Sequence, residues 1–205
     1  MAQPVLDRAP AVPHHAFPVA RTAHVRAPHA ERHTPPAPAW ALPAADEPTT
    51  PTIDVRTPAY GVRTVEQHPG SESAIAVAAR TADVIRLGFS VAVPSVGALS
   101  RVVALVDEAL VEQGRDRAEV RVLLDLEVVL AGDERTARRK RSQLEHLDAL
   151  AGLTWSPADT RVVTTADRLV AEVRELALRA GVDGVVLLPL AGGAAADAEL
   201  RALVA

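Results

Sequence analysis

Apolar residues in the second half of the chain recur at two periods. From Val120 to Leu130 they fall on every second position. Val120, Val122, Leu124, Leu126, Val128 and Leu130 share one face, and Arg121, Leu123, Asp125, Glu127 and Val129 share the other. That alternation predicts a strand. Between Pro94-Ser95 and Gln113-Gly114, Leu99, Val102, Val103, Val106 and Leu110 recur at three- and four-residue spacing, the single stripe of an amphipathic helix. A second stripe, Leu169, Val170, Val173, Leu176 and Ala177, predicts a helix over 166–180. Thr164 or Thr165 can cap it and Gly181 stops it. A third helix opens at Gly132-Asp133-Glu134. Its apolar side is Leu144, Leu147, Leu150 and Ala151, and its charges are spaced for Glu134–Arg138 and Arg141–Glu145 pairs. Val84–Leu87, Val185–Leu188 and the weaker Val62–Gln67 read as strands. Ala74–Arg80 and Asp197–Val204 read as short helices. The count is four strand–helix units, starting near Val62, Val84, Val120 and Val185, in the order of a parallel sheet.

The first part of the chain has neither period. Twelve of the 16 prolines lie between Pro4 and Pro58. Each removes a backbone donor and biases its predecessor away from helix. Few large aliphatic side chains are there to offset the entropy of ordering. The division expected is a disordered Pro/Ala-rich segment over 1–58 and an α/β domain over 59–205. Five of the seven His residues, His14, His15, His24, His29 and His33, fall in the first segment. Their irregular spacing, with no Cys or carboxylate cluster beside them, fits a solvated low-complexity tail better than a metal site.

Composition narrows the function. A formal net charge of −4 is too small to imply a nucleic-acid partner. Without cysteine there is no disulfide framework and no thiolate chemistry; a cytoplasmic protein is expected. No apolar run reaches the roughly 20 residues that span a bilayer.

Candidate chemistry is sparse. The turn Gly70-Ser71-Glu72-Ser73 opens a helix, where free N–H groups could cradle a phosphate. Plain helix capping by Ser71 or Ser73 explains the same residues, with Glu72 complementing the positive end of the helix. Asp125 and Glu127 project from one strand face and could act as acid and base or hold a metal. Alternatively they meet Arg121 or a neighbouring arginine, or face water. Asp83, at the start of a strand, reads as an anchor, because chemistry in such folds gathers at the opposite ends of the strands. The basic run Arg138–Arg141 reads as a solvated face and the lone His146 as a packing residue.

The stretch from Gln67 to Phe89 resembles a pattern in the bacterial luciferase-like, flavin-dependent monooxygenases, chiefly the nitrilotriacetate and long-chain alkane monooxygenase branch. The matching residues are Gly70-Ser71, Ala78-Ala79-Arg80 and Ala82-Asp83-Val84-Ile85. Gly114-Arg115-Asp116 with Val120–Leu123, Val162–Thr165, and Val182-Asp183-Gly184 through Pro189 are similar to later segments of the same family. The resemblance implies an α/β fold built as a partial (half) TIM barrel of about four β/α units, the last four of eight. It implies an oxidoreductase: an FMN-dependent monooxygenase homologue that oxygenates a small organic substrate with reduced flavin. Gly70 and Ser71 would contact the FMN phosphate; no catalytic residue and no metal ligand carries over. A half barrel leaves two open strand edges and an uncovered inner face. A homodimer or a complementary chain is therefore expected as partner, besides flavin and substrate, with no nucleic acid and no membrane. The alternatives are a non-catalytic remnant or partner-binding module of the same fold, and an unrelated open α/β domain.

Overall fold

In the computed structural model the structure describes residues 50–56, 64–152 and 155–205. Among the described residues six strands form one sheet: β1 (Thr52–Val55), β2 (Glu66–Gln67), β3 (Val84–Gly88), β4 (Arg121–Ala131), β5 (Val162–Thr165) and β6 (Gly184–Pro189). Five α-helices among the same residues accompany them: α1 (Glu72–Thr81), α2 (Val96–Glu112), α3 (Glu134–Leu150), α4 (Ala166–Ala180) and α5 (Gly193–Val204). All pairings are parallel, in the order β1-β6-β4-β3-β2. β5 pairs with the far end of β4. Val128 is matched with both Val162 and Pro189, so β5 and β6 take opposite edges of β4. The structure thus holds an α/β fold with a parallel sheet, and the four expected strands are neighbours on its main path.

The two faces of β4 have different fates. Val122, Leu124, Leu126 and Val128 join Ile85, Leu87, Val185 and Leu187 in the main core, against Leu99, Val103, Val106, Leu110, Leu169 and Val173 of the helices. The opposite, inner face carries a small apolar cluster of Val84, Leu123 and Val186, with Leu188 beside it. Two aspartates fix the register at the strand starts. Asp83 accepts the Val65 N–H at 2.8 Å, the anchoring role its position predicts. Asp183 does the same for the Val122 N–H at 2.6 Å. Both sit one residue before a parallel strand, in Ala-Asp-Val and Val-Asp-Gly-Val. Their carboxylates satisfy a neighbouring backbone donor that the ladder leaves over.

Several sequence expectations need correction. The expected disordered segment reaches into β1, which pairs with β6 along Thr52–Val55. Thr-Ile-Asp-Val is an alternating, β-prone tetrad, and its Val55 is buried in the main core. The prolines on either side hide that short signal. Residues 1–49, 57 and 58 of the same segment, the five-histidine tract among them, lie outside the described residues. Val62–Gln67 is strand only over its last two residues, and Val62 and Arg63 are not described. Val162–Thr165, not counted as a unit, is strand β5 followed by α4.

Helix α3 departs furthest from its pattern. Leu147 is 51% exposed and Leu150 71% exposed. Ala137 and Asp148 are its buried residues. The reason is position: α1, α2, α4 and α5 pack side by side over the main core, whereas α3 packs on β5, the end of β4 and the 3-10 turn Pro157–Asp159. His146 is exposed rather than packed. The helical ion pairs expected for α3 give way to longer-range contacts. Glu134 meets Arg168 of α4 at 3.1 Å, and Arg141 donates to the Val163 carbonyl at 2.8 Å.

Candidate functional site

Parallel strands with helices on one side present their C-terminal ends as the place for chemistry, because loops and helix N-termini converge there. Here β2 ends at Gln67, β3 at Gly88 and β6 at Pro189, while the longer β4 passes beside them with Asp125 matched to Gly88 and Glu127 to Leu188. Two cavities open among them and share Gly88. Gly88 continues the inward-facing series Val84, Arg86, Gly88 on β3, and a Cβ built on it would meet nothing within 4 Å. Its missing side chain leaves the space open.

The first cavity, about 200 Å³, is bordered by Pro69, Gly70, Ser71, Ile75, Leu87 and Val93 among others. The structure therefore places Gly70 and Ser71 beside a cavity at the mouth of the sheet. Ser71 is the N-cap of α1: its hydroxyl accepts from the Ala74 N–H at 3.3 Å and lies 3.1 Å from the Ser73 hydroxyl. The capping reading of the turn is thus realised. It does not use the whole turn, since the N–H groups of Glu72 and Ser73 precede the first intrahelical bonds and remain for an outside acceptor. A Cβ on Gly70 would meet nothing within 4 Å. No Lys or Arg borders this cavity and the carboxylate-bearing Glu72 does. An anion there would be held by backbone N–H groups and hydroxyls alone. The donor set fits a phosphate group at this turn.

The second cavity, about 270 Å³, is bordered by Gly88, Phe89, Asp125, Glu127, Trp155, Pro157, Thr160, Arg161 and Leu188. Its outer wall is the segment 155–161, which four contacts hold in place. Trp155 Nε1 donates to the Pro94 carbonyl at 3.3 Å. The Ala158 N–H donates to Asp148 at 2.8 Å. Arg161 Nε donates to Glu127 at 2.5 Å, with its Nη1 3.5 Å from Asp148.

Behind this cavity, on the inner face, lies an ion cluster that sequence reading missed. Arg86 is 9% exposed. Its Nε donates to Asp125 Oδ1 at 2.7 Å, its Nη2 reaches the same oxygen, and its Nη1 donates to Glu66 at 3.0 Å. His68 Nε2 stands 3.4 Å from Glu66 and 3.9 Å from Asp125. Burial pushes the Asp125 carboxyl above its ordinary value, and the bonds from Arg86 offset part of that rise. Burial pulls the Arg86 guanidinium down, but its two carboxylate partners more than offset this and leave it above its ordinary value.

Both carboxylates singled out from the sequence therefore meet arginines: Asp125 meets Arg86 and Glu127 meets Arg161. Arg121 turns instead to the Thr52 hydroxyl at 2.8 Å. The signal that could have found Arg86 was its parity. It and Asp125 take inward positions on adjacent strands, two residues out of register, since Arg86 matches Leu123 and Gly88 matches Asp125. Among the described residues no group of three His, Asp or Glu side chains is arranged to hold a metal ion. No described helix is long and apolar enough to cross a membrane.

No protein-family model matches the chain, and no curated protein does. Solved structures do. The EDTA monooxygenase from Chelativorans sp. BNC1 superposes with a TM-score of 0.55 at 19% identity, over 72% of this chain and 44% of that one. A long-chain alkane monooxygenase gives 0.53 at 18% identity, over 69% and 39%. An F420-dependent secondary alcohol dehydrogenase, in complex with an F420-acetone adduct, gives 0.52 at 12% identity, over 69% and 48%. The chain spans less than half the length of each of these three neighbours. At such identities the likeness is one of fold: an α/β architecture with a parallel sheet, similar to the luciferase-like barrels.

Proposed function

We propose that this chain is an oxidoreductase of the flavin-dependent, luciferase-like kind, an FMN-dependent monooxygenase homologue acting on a small organic substrate. The observation that carries the reading is the junction at Gly88 of two cavities at the C-terminal ends of the strands, one of them bordered by the Gly70-Ser71 turn. In this reading the N–H groups of Glu72 and Ser73, with the hydroxyls of Ser71 and Ser73, hold the cofactor's phosphate. Phe89, Trp155 and Leu188 wall the neighbouring cavity against water, and the substrate occupies it. When bound, reduced flavin supplies the oxygen chemistry. This chain's residues supply position and a partly desolvated setting.

Among the described residues the outer edges of β1 and β2 have no strand partner. With the chain spanning under half of its neighbours' length, we propose that a second copy closes the open side. Light scattering at micromolar concentration should give twice the chain mass of 21.6 kDa. A stable monomer removes this part.

The flavin reading is tested by titration with FMN and with riboflavin, which lacks the phosphate. Saturable quenching of FMN fluorescence is expected. Gly70→Asp, which places a carboxylate in open space beside the turn, should weaken FMN at least tenfold and leave riboflavin unchanged. No saturation up to about 1 mM FMN, an affinity outside the working range of most binding sites, refutes it. So does an FMN affinity indifferent to Gly70→Asp.

A further inference from the structure

We infer that the 270 Å³ cavity selects a small organic cation, such as an amine bearing a flat apolar group, over its anionic and neutral counterparts. The inference rests on reading this cleft as the substrate site and adds the substrate's charge. Three observations lead to it.

The first is the wall. Phe89, Trp155, Pro157 and Leu188 border the cavity, and aromatic faces attract a cation through their quadrupole. The second is the charge count. Asp125, Glu127 and Arg161 border the cavity directly. Their ion-pair partners add Glu66, Arg86 and Asp148, with His68 near Glu66 and Asp125. Four carboxylates thus face two guanidinium groups, and even a protonated His68 leaves the set negative. An anion entering this space meets net repulsion in a medium that screens less than bulk water. The third is which oxygens are engaged. Arg86 binds Asp125 through Oδ1, and Arg161 binds Glu127 through Oε2. Among the described residues no hydrogen-bond donor reaches Asp125 Oδ2 or Glu127 Oε1. His68 Nε2 stands 3.9 Å from Asp125 Oδ2, outside hydrogen-bond reach, so each of these two bordering carboxylates keeps one oxygen without a hydrogen bond, and that oxygen can accept from an incoming N–H group. The volume suits a ligand of about ten heavy atoms, smaller than most drug-sized ligands.

The test uses the full chain carrying Trp40→Phe, so that Trp155 is its single tryptophan, and needs no flavin. Three ligands of matched shape are titrated while Trp155 emission is followed: benzylammonium, benzyl alcohol and benzoate. Benzylammonium should saturate the signal and bind at least tenfold more tightly than either of the others. Glu127→Gln should remove most of that preference. Gly88→Leu, whose side chain extends into the open space, should abolish binding of all three while the far-UV circular dichroism stays that of the parent. Equal or tighter benzoate binding overturns the inference, as does a preference that survives Glu127→Gln, or no saturation by benzylammonium at 10 mM, the weak end for a specific small-molecule site. The two titrations fail separately. FMN binding without amine binding removes the charge selection alone, and amine binding without FMN binding removes the flavin reading alone.

Discussion

Arg86 is a side chain whose loss the fold should tolerate poorly. It sits on β3 with 9% of its surface exposed, and it joins β2 to β4 through Glu66 and Asp125. Arg86→Met keeps most of the volume and removes the charge. Two carboxylates, 25% and 22% exposed, then lose their only guanidinium partner among the described residues. Removing one member of a buried ion pair costs about 3–5 kcal/mol, because the remaining charge stays desolvated and unpaired. The partial exposure of both carboxylates sets the expectation at the lower end, about 3 kcal/mol. Against a typical domain stability of about 5–15 kcal/mol this is a large fraction. With a urea slope of about 2 kcal/mol per molar, the unfolding midpoint should fall by about 1.5 M. Urea titration followed at 222 nm reads this directly. A triple variant, Glu66→Leu, Arg86→Met and Asp125→Leu, exchanges the ions for apolar volume and should recover most of the loss. The reasoning is refuted if Arg86→Met costs less than about 1 kcal/mol, the value of an ordinary surface pair. It is also refuted if the triple variant is no more stable than the single one.

Four other outcomes are expected. Asp125 is held above its ordinary value of 3.8 by burial, so its folded form binds a proton more readily than its unfolded form. Its contribution to stability is complete below pH 3.8 and is lost as pH rises through the elevated folded value, and Asp125→Asn should flatten that part of the urea-midpoint profile. Asp133 is shifted the other way, lowered by the Thr136 N–H that it accepts at the start of α3. Asp133→Ala should therefore lower the melting temperature at pH 7, with the gap closing below pH 3.8 as the wild-type carboxyl protonates. Leu124→Ala, at a fully buried position in the middle of β4, should cost about 2–5 kcal/mol by chemical denaturation. Gly181→Ala meets no close atom, the nearest being Val103 Cγ1 at 3.8 Å, but its φ of 76° should cost about 1 kcal/mol through the backbone alone.

Much of this architecture is legible from residue order, and the parts that are not share a cause. The alternation of β4, the stripes of α2 and α4 and the anchoring role of Asp83 depend on near neighbours in sequence. They emerge as read. The pairing of Asp125 and Glu127 with arginines was also open to view, because charged residues on one strand face need partners or water. Which arginines was not, since Arg86 reaches Asp125 through the β3–β4 register and Arg161 reaches Glu127 through a loop that folds back over the strand ends. The stripe Leu144, Leu147, Leu150 describes an amphipathic helix correctly. It cannot say that α3 leaves the helix layer and turns two of those leucines to solvent. β1 was hidden by the prolines around it, four residues being too short to stand out against them. At the cleft, sequence order alone put Gly70-Ser71 after a strand and before a helix. The cavity at Gly88, walled by Phe89 and Trp155 from segments more than sixty residues apart, required the fold.

The pairing of β1 with β6 also has a consequence for biosynthesis. β6 is the partner of β1 among the described strands, and the ribosome makes it roughly 130 residues later, a delay of about 7–26 s at 5–20 residues per second. Throughout that interval the nascent Thr52–Val55 segment lacks its ladder partner among the described strands, so this edge of the sheet closes only once β6 has been made.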